Sequence, residues 1–224
     1  MQENNHWIKD RLFVLSYCPD DFSAKKKYPA VLFLHGAGTR GNDREVLKNN
    51  ICLKKLKDHL KDCLIIAPQC PGTDWFEVMQ DLLELTEKVF AHPSVDSERL
   101  FLTGVSMGGY GAWELAMLRP HFFAALSPLC GGGMAWNAER LKNVPVNAYH
   151  GALDPVVPMS ESQRMVEAVN RYGGKATLKI YENLAHNCWE ETYDSPQFYE
   201  WLLTQKRMGA DSQFHEISGS EIYG

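Results

Sequence analysis

No stretch of this chain approaches the ~18 consecutive apolar residues that would cross a bilayer, so a membrane-spanning role is not expected. None of the six cysteines, at positions 18, 52, 63, 70, 130 and 188, forms a C-x-x-C pair. That spacing supports neither a zinc site nor a dense disulfide scaffold. The thiols read instead as small buried hydrophobes in a reduced, cytoplasmic protein. Basic residues are not in excess: 23 Lys and Arg stand against 28 Asp and Glu, a net charge of −5. A nucleic-acid partner is therefore not expected. The opening residues Met1–His6 are polar, with no basic region leading into an apolar run, so no leader is visible. Repeats, low-complexity segments and Pro- or Ser-rich linkers are also missing.

What is present is one core's worth of apolar residues, 45% of 224, arranged as alternating short apolar runs and amphipathic stretches. Residues 30–34, 63–68, 99–103, 123–130, 144–150 and 176–181 read as strands, most of them buried on both faces. Residues 7–18 suggest an edge strand. Residues 44–60, 75–91, 110–118, 159–172 and 197–206 read as helices, with Asp74 as an N-cap for the second of them. Strands alternating with helices over the whole length predict an α/β fold: a mostly parallel central sheet with helices on both faces, a three-layer sandwich. One domain over 1–224 is expected, with a poorly ordered tail from about 208.

The stretch Gly104-Val105-Ser106-Met107-Gly108 lies where a strand turns into a helix, and it matches the G-x-S-x-G nucleophile elbow. The tight turn pushes a serine oxygen out of the sheet. The glycines leave room for neighbouring backbone. The following helix begins at the serine, so its unpaired N–H groups face the place where negative charge would develop.

Loops at the carboxyl ends of parallel strands converge on one edge, and two further loops carry what a serine nucleophile needs. His186, after the last strand, is the expected base, since a hydroxyl attacks poorly until its proton is taken. Asp154, after the penultimate strand, is the expected carboxylate that orients the imidazole. His35 is the rival base and Glu182 the rival carboxylate; His150 reads as a supporting residue. Backbone N–H groups of Met107 and of Ala37, or Gly36 if the turn is displaced by one, are the expected oxyanion donors. His35-Gly36-Ala37-Gly38 lacks the G-K-[ST] ending and the G-x-G-x-x-G spacing of phosphate-binding loops.

Together, His35-Gly36-Ala37-Gly38, Gly104–Gly109, Gly151–Pro158 and Ala185-His186-Asn187 resemble the α/β-hydrolase superfamily, over about residues 28–205. The likeness is greatest to its small lidless carboxylesterase branch. Pro68-Gln69-Cys70-Pro71 and Asp96–Thr103 resemble proteins described as predicted peptidases or phospholipase/carboxylesterase-like. Those are similar in turn to feruloyl esterases, polyhydroxybutyrate depolymerases and the catalytic domains of prolyl oligopeptidases. The resemblance implies Ser106, Asp154 and His186 in the roles above. Prolyl peptidases also carry a propeller that filters substrates, and this sequence shows none.

Two-step ester hydrolysis is the expected activity, on a small-molecule ester of short-chain or aryl type, with no metal or organic cofactor required. Hydroxycinnamoyl esters enter through the resemblance alone. His35, Trp75, Phe76, Trp136 and Trp189 are candidates for the substrate pocket, as is Met134; for the aromatic residues core packing is an equal explanation. A serine peptidase acting on small peptides and a non-catalytic binding protein are the alternatives. Self-association into a homo-oligomer is compatible with the sequence.

Overall fold

A computed structural model describes residues 1–208. Eight strands form one sheet: β1 (Gln2–Ile8), β2 (Leu12–Cys18), β3 (Tyr28–Leu34), β4 (Leu64–Gln69), β5 (Val95–Val105), β6 (Ala125–Leu129), β7 (Val146–Gly151) and β8 (Ala176–Tyr181). Their order across the sheet is β1-β2-β4-β3-β5-β6-β7-β8. The β1–β2 and β2–β4 pairs are antiparallel, and every pair from β4 to β8 is parallel.

The continuous apolar runs of β3 and β5 are explained by burial on both faces. Leu32, Leu34, Leu100 and Leu102 point to one side, packing with Trp75, Trp113 and Leu82. Val31, Phe33, Phe101 and Val105 point to the other, packing with Leu53, Leu56, Tyr193 and Phe198. Helices α3 (Met79–Ala91), α4 (Met107–Leu118) and α5 (Ser160–Arg171) cover the first face. Helices α1 (Arg44–Lys48), α2 (Ile51–His59), α6 (Trp189–Asp194) and α7 (Pro196–Thr204) cover the second. The expected three layers are present. Among the described residues no helix is long and apolar enough to cross a membrane.

Three local expectations need correction. The polar start is a strand: β1 is exposed along most of its length and pairs with β2 through a turn in which Lys9 and Asp10 both have positive φ. The helix expected over 44–60 is two helices, because Asn50 Oδ1 accepts the Leu53 N–H and caps α2 afresh. The next helix starts at Met79 rather than Trp75. Asp74 Oδ1 accepts from the N–H groups of Phe76 and Glu77, which holds a turn there instead of a helix start. Helix α6 follows the His186 loop directly. The tail expected beyond about 208 lies outside the described residues.

Candidate active site

Four loops meet at the carboxyl edge of the parallel strands, after β3, β5, β7 and β8. At the end of β5, Ser106 takes φ 55° and ψ −119°, a backbone state that costs a non-glycine residue energy. Its N–H donates to Leu129 O of the neighbouring β6 at 2.9 Å, which fixes the corner. The flanking glycines are sterically required. A Cβ on Gly104 would overlap the Gly108 carbonyl, and one on Gly108 would overlap the backbone of Leu34 and His35.

The loops after β7 and β8 are zipped together by backbone. Ala152 N–H donates to Tyr181 O at 2.9 Å and Leu153 N–H to Leu184 O at 3.0 Å. This brings Asp154 and His186 together although 32 residues separate them. His186 Nδ1 lies 2.7 Å from Asp154 Oδ2, and its Nε2 lies 2.8 Å from Ser106 Oγ. The second Asp154 oxygen accepts from the N–H groups of Val156 at 2.8 Å and Val157 at 2.9 Å. Burial pushes the Asp154 carboxyl up, but the hydrogen bonds from His186, Val157 and Val156 outweigh it and hold the group below its ordinary value. The side chain of Asp154 is fully covered, whereas that of His186 keeps 19% of its surface exposed. Such a line can move a proton from serine to imidazole while a fixed carboxylate faces the imidazolium.

The pattern that defines the phospholipase/carboxylesterase family matches residues 73–197, more than half of the chain, and includes all three of these residues. The chain belongs to that family. It is 26% identical over 160 residues to a probable feruloyl esterase C of Aspergillus oryzae, covering 68% of this chain and 58% of that protein. It is 24% identical over 216 residues to an acyl-protein thioesterase 1 of Gibberella zeae, covering 80% and 92%. Among solved structures, a thermostable esterase superposes with a TM-score of 0.82 at 30% identity, over 92% of this chain and 63% of that one. The chain thus spans little more than half the length of its feruloyl esterase relative. These likenesses place it, within the phospholipase/carboxylesterase family, among proteins of the α/β-hydrolase fold.

The other expected site residues fall into two groups in this carboxylesterase-like fold. Gly36 borders Ser106: a Cβ built on it would stand 3.6 Å from Ser106 Cβ. Ala37 follows on the exposed rim and opens a short 3-10 turn to Thr39, while Met107 is the first residue of α4. Trp189 meets the His186 ring edge to face, centroids 5.2 Å apart. Phe76 and Trp136 are exposed at 52% and 74%.

His35 and Trp75 do not line a pocket; both are fully buried. His35 Nδ1–H donates to Gly36 O at 2.7 Å, and Nε2 accepts the Cys70 N–H at 2.9 Å. Burial pushes its imidazole down to about 4, so the ring is neutral near pH 7. It braces the loop that carries Gly36 and Ala37. Trp75 donates its indole N–H to His35 O at 3.0 Å and packs against Gly111, because the Asp74 turn swings it into the core. Glu182 is exposed, and His186 Nδ1 is engaged by Asp154 instead.

His150 is more closely engaged than a general supporting residue. Its Nε2 lies 3.0 Å from Val157 O and 3.2 Å from Asp154 Oδ2, and its Nδ1 is 2.8 Å from Ser162 Oγ. Among the described residues, Cys130, His150 and Asp154 place donor atoms within 4.8 Å of one another. Hydrogen bonds already occupy them: Asp154 holds His186 and two amides, and Cys130 meets Cys188. A cavity of about 520 Å³ between β1, β2, β4 and α3 contains none of the three aligned residues.

Proposed function

We propose that this chain is a serine carboxylesterase that cleaves short-chain or aryl esters, hydroxycinnamoyl esters included, through an acyl-enzyme on Ser106. The observation that carries this reading is the unbroken line from Asp154 Oδ2 through His186 to Ser106 Oγ, with spacings of 2.7 and 2.8 Å. His186 takes the Ser106 proton as the oxygen attacks the ester carbonyl, then gives it to the departing alcohol. Water repeats the sequence on the acyl-enzyme. The oxyanion is held by the Met107 N–H and by that of Ala37, or of Gly36, each donor contributing about 3 kcal/mol to the transition state. Ester preference draws support from the family and from the esterase and thioesterase relatives. A feruloyl esterase among them favours aryl acyl groups.

The test is a matched ester panel: nitrophenyl acetate, butyrate, octanoate and decanoate, methyl ferulate and an acetylated sugar, with Ser106→Ala beside the parent. Activity that disappears in the variant, with one substrate preferred by ~10-fold or more, supports the assignment; that preference is about 1.4 kcal/mol of differential transition-state binding. Equal slow turnover by parent and variant overturns it. Cleavage of an aminoacyl-nitroanilide at a rate comparable to the nitrophenyl ester would move the assignment to peptide hydrolysis.

A further inference from the structure

Two cysteines stand immediately behind the aligned site. Cys130 immediately follows β6, directly after the Leu129 carbonyl that anchors Ser106. Its backbone is in the left-handed region, at φ 48°. Such a conformation costs a non-glycine residue energy and persists only where its surroundings hold it. Cys188 follows His186 by two residues and precedes α6. Both side chains are fully buried. Their sulfurs are 2.7 Å apart, within about 1 Å of the ~2.0 Å of a disulfide bond. Cys130 Sγ also lies 3.3 Å from His186 O, so the pair touches the backbone of the proposed base.

We propose that Cys130 and Cys188 form a reversible disulfide that ties the His186 loop to the strand anchoring Ser106. The oxidant is a small disulfide, R–S–S–R, of the glutathione class. A thiolate of the pair attacks it, one R–S leaves, and the second cysteine displaces the other from the mixed disulfide. One S–S bond breaks and one forms. Two electrons pass to the small disulfide, and the two protons of the pair end on two R–SH. The exchange takes place while the His186 loop or the chain is open. In the closed protein the hydrogen bond with Cys130 and burial raise Cys188 far above the usual thiol range, so reactive thiolate is scarce there. The bond closes a loop that contains both Asp154 and His186, and it restrains their separation from β6.

The experiment refolds the full chain from denaturant in oxidising glutathione buffer and, in parallel, in excess phosphine reductant. Free thiols are then alkylated in denaturant and the unreduced digest is read by mass. The expected product joins Cys130 to Cys188 and is lighter by two hydrogens than the two thiol peptides together. Cys18, Cys52, Cys63 and Cys70 are expected to be alkylated. The thermal midpoint of the oxidised form is expected to rise by at least about 5 °C over the reduced form. That difference should vanish in Cys130→Ala and in Cys188→Ser. Six alkylated cysteines after oxidising refolding, or cross-links scattered over other pairs without a rise in midpoint, would overturn the proposal. The mass readout does not use ester hydrolysis, so it stands apart from the fate of the proposed activity.

Discussion

Asp154 Oδ2 faces two imidazoles, lying 2.7 Å from His186 Nδ1 and 3.2 Å from His150 Nε2. The two contacts differ in reach. His186 continues to Ser106, whereas His150 is fully buried and continues to Ser162, whose hydroxyl donates to Gly131 O at 2.7 Å. The carboxylate is therefore oriented from behind by a side chain that never meets substrate. Both Val157 O and Asp154 Oδ2 are acceptors, so His150 Nε2 must carry the hydrogen that they share.

On the proposed mechanism His150 is a positioning residue. His150→Leu leaves buried acceptors unpaired and should cost about 1–3 kcal/mol of stability. Turnover should fall by roughly 10-fold with KM nearly unchanged, because only the orientation of Asp154 is disturbed. His150→Gln retains a donor and should recover most of the loss in turnover. Steady-state kinetics on a nitrophenyl ester, with urea unfolding of each variant, checks both. Equal kcat in His150→Leu and the parent would show that the second imidazole plays no part in holding the carboxylate.

Ser106 combines a hydroxyl set against His186 with a strained backbone, and two variants separate the two. Ser106→Ala and Ser106→Gly both remove Oγ and should both lower kcat/KM by at least about 1,000-fold. Only glycine accepts φ 55° without steric cost. Ser106→Gly should therefore be more stable than Ser106→Ala by about 1 kcal/mol, although glycine usually loses such a comparison. Denaturant midpoints of the two inactive proteins decide it, and an alanine variant as stable as the glycine one would mean that the corner is unstrained.

Much of this arrangement was legible in the sequence because it rests on short-range rules. A double-sided apolar run marks the central parallel strands, and the glycines at 104 and 108 mark a place where backbones touch. Strand order then sends Ser106, Asp154 and His186 to one edge. What escaped depends on contacts without a local signature. The β1 strand is polar because it lies at the edge of the sheet, and its turn uses Lys9 and Asp10 rather than glycine. Trp75 and Phe76 are adjacent aromatic residues, yet the Asp74 turn buries one and exposes the other. Cys130 and Cys188 are 58 positions apart, and no spacing rule joins them.

Trp189 offers a way to tell a wall of the pocket from a brace for the proposed base. It meets His186 at an interplanar angle of 85°, the edge-to-face arrangement that contributes about 0.5–1.5 kcal/mol beyond simple burial. If the ring braces His186, Trp189→Leu should lower kcat by about 3- to 10-fold across all esters and leave KM in place, while Trp189→Phe should keep most of the activity. A rise in KM confined to aryl esters, with kcat intact, would assign the indole to substrate instead.

His35 makes stability depend on pH independently of the proposed chemistry. Burial, aided by the Arg40 charge and opposed by the hydrogen bond to Gly36, lowers its imidazole from an ordinary 6.5 to about 4. As pH falls, the unfolded chain takes up the proton first. The contribution is thus complete above pH 6.5 and drains away as pH falls toward 4. The full shift corresponds to about 3 kcal/mol, of which about 2 kcal/mol should be lost between pH 7.5 and 5. His35→Gln can present an acceptor to the Cys70 N–H without a titrating ring. Urea unfolding of both proteins at pH 7.5, 6 and 5 isolates the difference, since every other titrating group is shared. The parent should lose stability more steeply than His35→Gln over that range; parallel curves would mean that the buried ring takes up its proton as readily folded as unfolded.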